Sequence, residues 1–428
     1  MNSEIQTIQM NKPYPPKNID GLPLNSQTRR DFLRLSAQAA TVATLAGGLP
    51  LIGRAENNAP DADADKHGLL RHRFGVNYVP SKHWYYCYNN WNLSDIKHDL
   101  DRIAEIGADH IRLMVVWPWF QPNANAVSTA HLDRLDELVH AAGQRHIDVL
   151  PCIYTGWLSG FHFNPNFYDQ EPFYTSEKWA AAQTLYLKAL AGRMNAHKNF
   201  LGFDIGNEIN CNWQANLPDG DAWMHRVLGQ MNAASPGRVH VNGVDNGPWF
   251  ELNTFSAKAL VAEQPIVALH CWPFWTGAGK FGGPLDTPYT HLGAGMAALA
   301  RSLGGDPRKP MWMEEFGACS EEMPEADIPR WLETSITQAI QNGVSWFTWW
   351  ASHDVSREYE FHPFEYGLGL MTSDNRIKQQ GLKFKELAEH YRGKAVVIPS
   401  ATLPPPPSAR THDATWKWLL DWMQSQQK

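Results

Sequence analysis

The chain has 428 residues, a formal net charge of −7, 43% hydrophobic and 12% aromatic residues, and 19 tryptophans. This length admits one large α/β barrel or two ordinary domains, and the negative balance argues against a nucleic-acid partner. Cys87, Cys152, Cys211, Cys271 and Cys319 are widely spaced with no CxxC pair, so no zinc or redox motif is present, no cofactor is expected, and buried free thiols are the default reading.

The N-terminus reads as an export signal. Thr28-Arg29-Arg30-Asp31-Phe32-Leu33-Arg34 precedes an Ala-rich apolar run from Ala37 to Ile52, and Gly53-Arg54-Ala55 offers small residues for a cut after Ala55. That order is the layout of a twin-arginine signal over residues 1–55. It implies the Tat export machinery as a partner and a periplasmic or extracellular location for the mature protein. Gly47, Gly48 and Pro50 make the run a poor permanent span, so no membrane span is expected in the mature protein. Residues 56–70 read as a polar linker.

From Arg73 onward, short apolar runs alternate with amphipathic runs of helix length. Eight strand candidates stand out: 73–78, 110–117, 147–156, 200–208, 238–246, 266–272, 310–317 and 344–351. Helix candidates lie between them, among them Ser94–Ile106, His131–Ala142, Ser176–Ala196 and Ile328–Gln341, with Gly107 and Gly143 as stops. Eight strands mostly separated by helices predict an α/β (β/α)8 TIM barrel over residues 71–395. The span exceeds the roughly 250 residues of a minimal barrel, so some βα loops are extended, with Gly156–Thr175 and Cys271–His291 as candidates. Residues 396–428 form a Pro-rich C-terminal extension, in which Thr415–Met423 could be a helix docked on the barrel.

The chemistry is expected at strand ends. In PMWMEEFG, strict alternation groups Met311, Met313 and Glu315 on one face and Trp312 and Glu314 on the other. If Glu315 faces inward it reaches the catalytic rim, and Glu314 then points between strand and helix. In GFDIGNEIN, Glu208 closes the fourth strand after Asn207, and Asp204 shares its face as a lower-layer polar residue. Two glutamates at the mouth of one barrel suit glycoside hydrolysis, where retaining enzymes need carboxyls about 5 Å apart.

These motifs, with Arg112 in HIRLMVVW, His270 in ALHCW and the tryptophan-rich VSWFTWWA, make residues 72–392 similar to glycoside hydrolase family 5, within the clan A barrels. The resemblance implies that Glu208 is the general acid/base and Glu315 the nucleophile of a retaining double displacement. It implies that Asn207 binds the sugar 2-hydroxyl, that Arg112 keeps Glu315 ionised, and that His270 sets the nucleophile or touches sugar. Trp350 would form the floor of the cleavage subsite, with Trp349 as the competing choice. No metal ligand set is implied. The substrate class is an oligo- or polysaccharide with β-linkages, of β-mannan or β-glucan type. IYTGW stands where many cellulase-type members place a histidine, so a mannan- or mixed-glycan-directed member is at least as well supported as a cellulase. An exo-acting glycosidase or a transglycosylase shares every one of these residues, and a non-catalytic carbohydrate-binding barrel is the contrasting class. A metal-dependent hydrolase would need a His-x-His on the first strand, which RHRFGVNY lacks.

Overall fold

The computed structural model describes residues 68–168, 170–399 and 403–426. The export-signal assignment to residues 1–55 lies outside the described residues.

Strands β1 (Arg73–Tyr78), β2 (His110–Met114), β3 (Asp148–Cys152), β6 (Val267–His270), β7 (Met311–Phe316) and β8 (Val344–Trp349) form one parallel sheet in the order β3-β2-β1-β8-β7-β6. Two further segments continue it. Residues 200–206 bridge to β3 through Val149–Phe200 and Cys152–Asp204, and residues 238–244 bridge to them through Asp204–Val241. With these in fourth and fifth place, the architecture is a (β/α)8 TIM barrel. The fourth and fifth candidates are thus irregular barrel staves rather than continuous strands, joined by backbone hydrogen bonds such as Leu201 N–H to the Val149 carbonyl at 2.9 Å and Val239 N–H to the Leu201 carbonyl at 2.7 Å. One local cause is Gly202, at φ 152°, whose missing Cβ lets its backbone lie against that of Val239. Strands β4 (Trp157–Leu158) and β5 (Phe161–His162) are a small antiparallel hairpin in the long loop after β3.

The helices follow the staves in turn: α1 (Leu93–Glu105), α2 (Thr129–Gly143), α3 (Glu177–Met194), α4 (Leu217–Ala234), α5 (Ala257–Glu263), α6 (Leu292–Gly304), α7 (Ile328–Gln341) and α8 (Gln379–Tyr391). Their starts are chemically marked. Asn92, Ser128, Ser176, Asn216 and Ser256 each accept a backbone N–H of the first turn of α1 to α5. After α1 the chain leaves through Gly107 at φ 80°, a left-handed exit that glycine adopts without strain.

Alternation sorts the strand residues into two layers. Phe74, Val76, Tyr78, Ile111, Leu113, Met311, Met313 and Phe347 pack outward against the helices. Leu150, Leu201, Val239, Val241, Ala268, Trp312 and Trp346 fill the barrel interior. Above this apolar plug, the Thr348 hydroxyl meets Trp312 Nε1 and His110 Nε2, each at 2.7 Å. The helix α9 (His412–Ser425) lies against α6, where Leu419 and Met423 approach Gly295. Among the described residues no helix is long and apolar enough to cross a membrane. All five cysteines are free thiols, and Cys211 alone is exposed.

Candidate active site

The site is built on a buried arginine. Arg112 lies on the inward face of β2 and is fully buried, so its guanidinium needs partners on every side. Nε and Nη2 donate to Asp204 Oδ2 at 2.9 and 2.6 Å, and Nη1 donates to Asn77 Oδ1 at 3.1 Å and to Glu315 Oε1 at 2.5 Å. Glu314 Oε1 stands 3.4 Å from Nε. Asn77 in turn donates from Nδ2 to the Glu314 carbonyl at 2.9 Å. Room for this cluster comes from Gly243 on the fifth stave, since a Cβ there would strike Glu314 Oε2 and come within 2.8 Å of Arg112 Nη2.

Strict alternation fails on β7, and the failure makes the site. Met311 and Met313 point outward and Trp312 inward, so unbroken alternation would send Glu315 into the helix layer. The pairing of β7 shifts register between Met313 and Phe316, and that of β6 between Leu269 and His270, where His270 pairs with Glu315. The shift leaves Phe316 in the helix-facing core while both Glu314 and Glu315 contact Arg112. The expectation that Glu314 points between strand and helix is therefore corrected: it is a fully buried member of the interior cluster.

Glu208 reaches the same place by a different device. Its backbone is left-handed, φ 47° and ψ 45°, at the turn into the short helix Ile209–Asn212, and its N–H donates to the Gly243 carbonyl at 2.8 Å. A non-glycine residue in this region is strained by roughly 1–3 kcal/mol. His270, at the end of β6, joins the two acids. Its Nδ1 lies 2.8 Å from Glu208 Oε1 and 3.3 Å from Glu315 Oε2, and its Nε2 lies 3.3 Å from Glu314 Oε2. Ligand-type side-chain atoms of Glu208, His270 and Glu315 all fall within 4.8 Å of one another. They are the one group of His, Cys, Asp and Glu side chains, among the described residues, close enough to hold a metal ion.

Charge in this cluster is tightly linked. Burial pulls the His270 pKa down, but Glu315, Glu208 and Glu314 outweigh it and raise it to about 10. The imidazolium therefore persists at neutral pH and disfavours a bound cation. Burial raises Glu315 to about 7, with Glu208 and Glu314 adding to the rise against the opposing His270 and Arg112. Arg112 thus lowers Glu315 in the expected direction, but desolvation outweighs it and the net shift is upward. Glu314 is raised by burial as well.

The other expected residues fall as follows. Asn207 is buried, donates from Nδ2 to the Trp157 carbonyl, and keeps an Oδ1 without a hydrogen-bond partner. Trp350 belongs to the aromatic cluster at the mouth. Trp349 points away, its Nε1 donating to the Leu368 carbonyl at 2.7 Å among Phe316 and Trp331, which removes it as the subsite floor. His353 and Asp354 are structural, bonded to Asn375 and to Lys378. Of the tryptophans near strand ends, Trp117 and Trp249 are core residues, and Trp213 stacks on Phe173 at 4.0 Å. Trp272, another of these strand-end tryptophans, belongs to the site itself: its Nε1 lies 3.3 Å from Glu315 Oε2. Its signal was its place two residues beyond His270.

Residues 72–355 match the family model described as Cellulase (glycosyl hydrolase family 5). Among solved structures the chain is similar to a GH5_18 protein from Streptomyces cattleya in complex with GlcNAc, at 28% identity and a TM-score of 0.76, over 83% of this chain and 91% of that one. A variant of the same protein, in complex with Manβ1-4GlcNAc, matches at 28% identity and TM-score 0.75 over the same shares. A GH5_18 protein from Bifidobacterium longum subsp. longum matches at 25% identity and TM-score 0.76, over 83% of this chain and 90% of that one. Among curated proteins no sequence match is found.

Proposed function

The chain belongs to glycoside hydrolase family 5 and is a glycosidase; on that premise we propose that it is a retaining enzyme that cleaves β-mannosidic bonds in short oligosaccharides. The observation that carries the retaining mechanism is the convergence of Glu208 and Glu315 within 4.8 Å, the short separation at which one carboxyl attacks directly and no water fits between. The β-mannosidic preference is supported by related structures holding Manβ1-4GlcNAc.

In this reading Glu315 is the nucleophile. Arg112 and Trp272 donate to its two oxygens and hold it in one orientation. Glu208, on its left-handed turn, protonates the departing oxygen and later takes a proton from water. His270 bridges both acids and moderates the loss of the Glu315 charge when the glycosyl-enzyme forms. The unpartnered Asn207 Oδ1 accepts from a sugar hydroxyl beside the reacting carbon, and Trp350 supplies an apolar face for the ring. The testing experiment is an NMR time course on 4-nitrophenyl β-D-mannoside and Manβ1-4GlcNAc. First-formed β-mannose supports the reading; first-formed α-mannose, or no cleavage of either compound, defeats it.

We also propose that residues 1–55 direct export through the twin-arginine route, supported by the order of the Arg29-Arg30 pair, apolar run and small-residue cut site.

A further inference from the structure

The turn that carries Glu208 is strained and leans on its neighbours. Glu208 sits at φ 47° at the start of the short helix Ile209–Asn212, with no side-chain cap. Its N–H donates to the Gly243 carbonyl and its carbonyl accepts from the Cys211 N–H, each at 2.8 Å.

Asp245, just past the fifth stave, grips that helix from outside. Its Oδ1 accepts from Asn210 Nδ2 at 2.6 Å and from the Gly247 N–H at 2.8 Å, and its Oδ2 accepts from Cys211 Sγ at 3.4 Å. Three donors on two oxygens call for an acceptor-only group, which a carboxylate is and an amide is not. Asn210 is buried and engaged on both sides of its amide. Its Nδ2 also donates to Asn253 Oδ1 at 3.3 Å, and its Oδ1 accepts from the Asp245 N–H at 3.4 Å. Gly247 leaves room for the arrangement, since a Cβ there would lie 2.9 Å from Asp245 Oδ1 and 2.8 Å from Asn253 Nδ2.

The far end of the helix is held separately. Asn212 Oδ1 lies 2.5 Å from His162 Nδ1 of β5, and Asn212 Nδ2 donates to Asn164 Oδ1 at 2.6 Å. The half next to Glu208 is thus left to Asp245. Burial and the nearby Glu208 raise the Asp245 pKa against its three hydrogen bonds. A carboxyl placed at such cost beside a second acid is of the kind found at working sites. A general acid has to meet the departing oxygen closely, and a misplacement of about 1 Å can cost roughly 10²-fold in rate.

We propose that Asp245 is a positioning residue for the general acid: through Asn210 and Cys211 it holds the left-handed turn, so that the Glu208 carboxyl meets the departing oxygen. This inference rests on the reading of Glu208 as the acid of a β-mannosidase.

The test is the dependence on leaving group. Phenolate leaves poorly and needs a proton from the enzyme, whereas 2,4-dinitrophenolate leaves without one. Asp245→Ala should lower kcat/KM on phenyl β-D-mannoside by about 30-fold and on the 2,4-dinitrophenyl compound by no more than about threefold. Asp245→Asn, which keeps an oxygen for Asn210, should recover part of the loss. Asn210→Ala should show the same split, and the double variant Asn210→Ala/Asp245→Ala should be no worse than the worse single one. A loss below about twofold on the phenyl substrate, equal losses on both substrates, or additive losses in the double variant overturn the inference. Glu208→Ala is the control. A split there without one at Asp245→Ala overturns this inference alone; no split at Glu208→Ala, or a wild type that cleaves neither aryl mannoside, overturns the reading of Glu208 with it.

Discussion

Arg112 Nη1 meets Glu315 Oε1 at 2.5 Å inside the barrel, yet Glu315 sits at about 7, above its ordinary 4.5. Burial and two neighbouring glutamates outweigh the guanidinium. A nucleophile has to be ionised to attack, so the acidic limb of kcat/KM against pH is expected near 7. The sign follows from the raised value: activity is present above pH 7 and is lost as pH falls towards 4.5, where the proton stays on Glu315. A pH profile on an aryl mannoside checks this; a limb near 4.5 contradicts it.

Two substitutions should move that limb in opposite directions. His270 opposes the rise of Glu315 and Glu314 adds to it. His270→Gln removes an imidazolium and is expected to shift the limb upward. Glu314→Gln removes a carboxyl of the same shape and is expected to shift it downward. Profiles of both variants beside the wild type decide the point.

Glu208→Ala and Glu315→Ala should each lower kcat by about 10³-fold or more. Azide distinguishes their roles. With Glu208→Ala it is expected to restore turnover of an activated aryl glycoside and give the β-glycosyl azide. With Glu315→Ala it should give the α-azide. A 2-fluoro glycoside should label Glu315, read by peptide mass, and labelling at Glu314 would reverse the assignment.

Arg112→Met leaves Asp204, Glu314 and Glu315 without their shared cation in a fully buried cluster. Breaking a buried pair in this way costs about 3–5 kcal/mol. Denaturant melts should show that loss together with inactivity, and Arg112→Lys should recover only part of either, because an ammonium cannot serve four partners from one plane.

Replacing Arg29 and Arg30 by lysine in the full-length chain is expected to retain the enzyme inside the cell. Fractionation with an activity assay reads this directly.

The helices and most of the strands were legible because they repeat. Ile96, Leu100 and Ile103 mark α1 at helical spacing, and β1 falls on the predicted residues 73–78. Glu208, Glu315, Arg112 and His270 were legible because each closes or lines a strand in a barrel. Two things were not. Period-two alternation carries no sign of a register shift, so the inward turn of Glu314 could not be read from PMWMEEFG. Asp245 and Asn210 lie past the ends of neighbouring staves, and their meeting depends on the left-handed turn at Glu208, of which GFDIGNEIN carries no sign.

The C-terminal segment reaches back to the catalytic end of the molecule. Trp416 Nε1 donates to the Thr276 carbonyl at 2.7 Å and the Thr415 hydroxyl to the Phe250 carbonyl at 2.7 Å, while Arg410 Nη2 donates to the Pro248 carbonyl at 2.6 Å. Thr276 lies four residues past Trp272, whose indole touches Glu315, and donates from its hydroxyl to the Trp272 carbonyl at 2.9 Å. The tail thus acts as a tether, so clipping it at the prolines would loosen the grip on the nucleophile without removing a single residue that touches it.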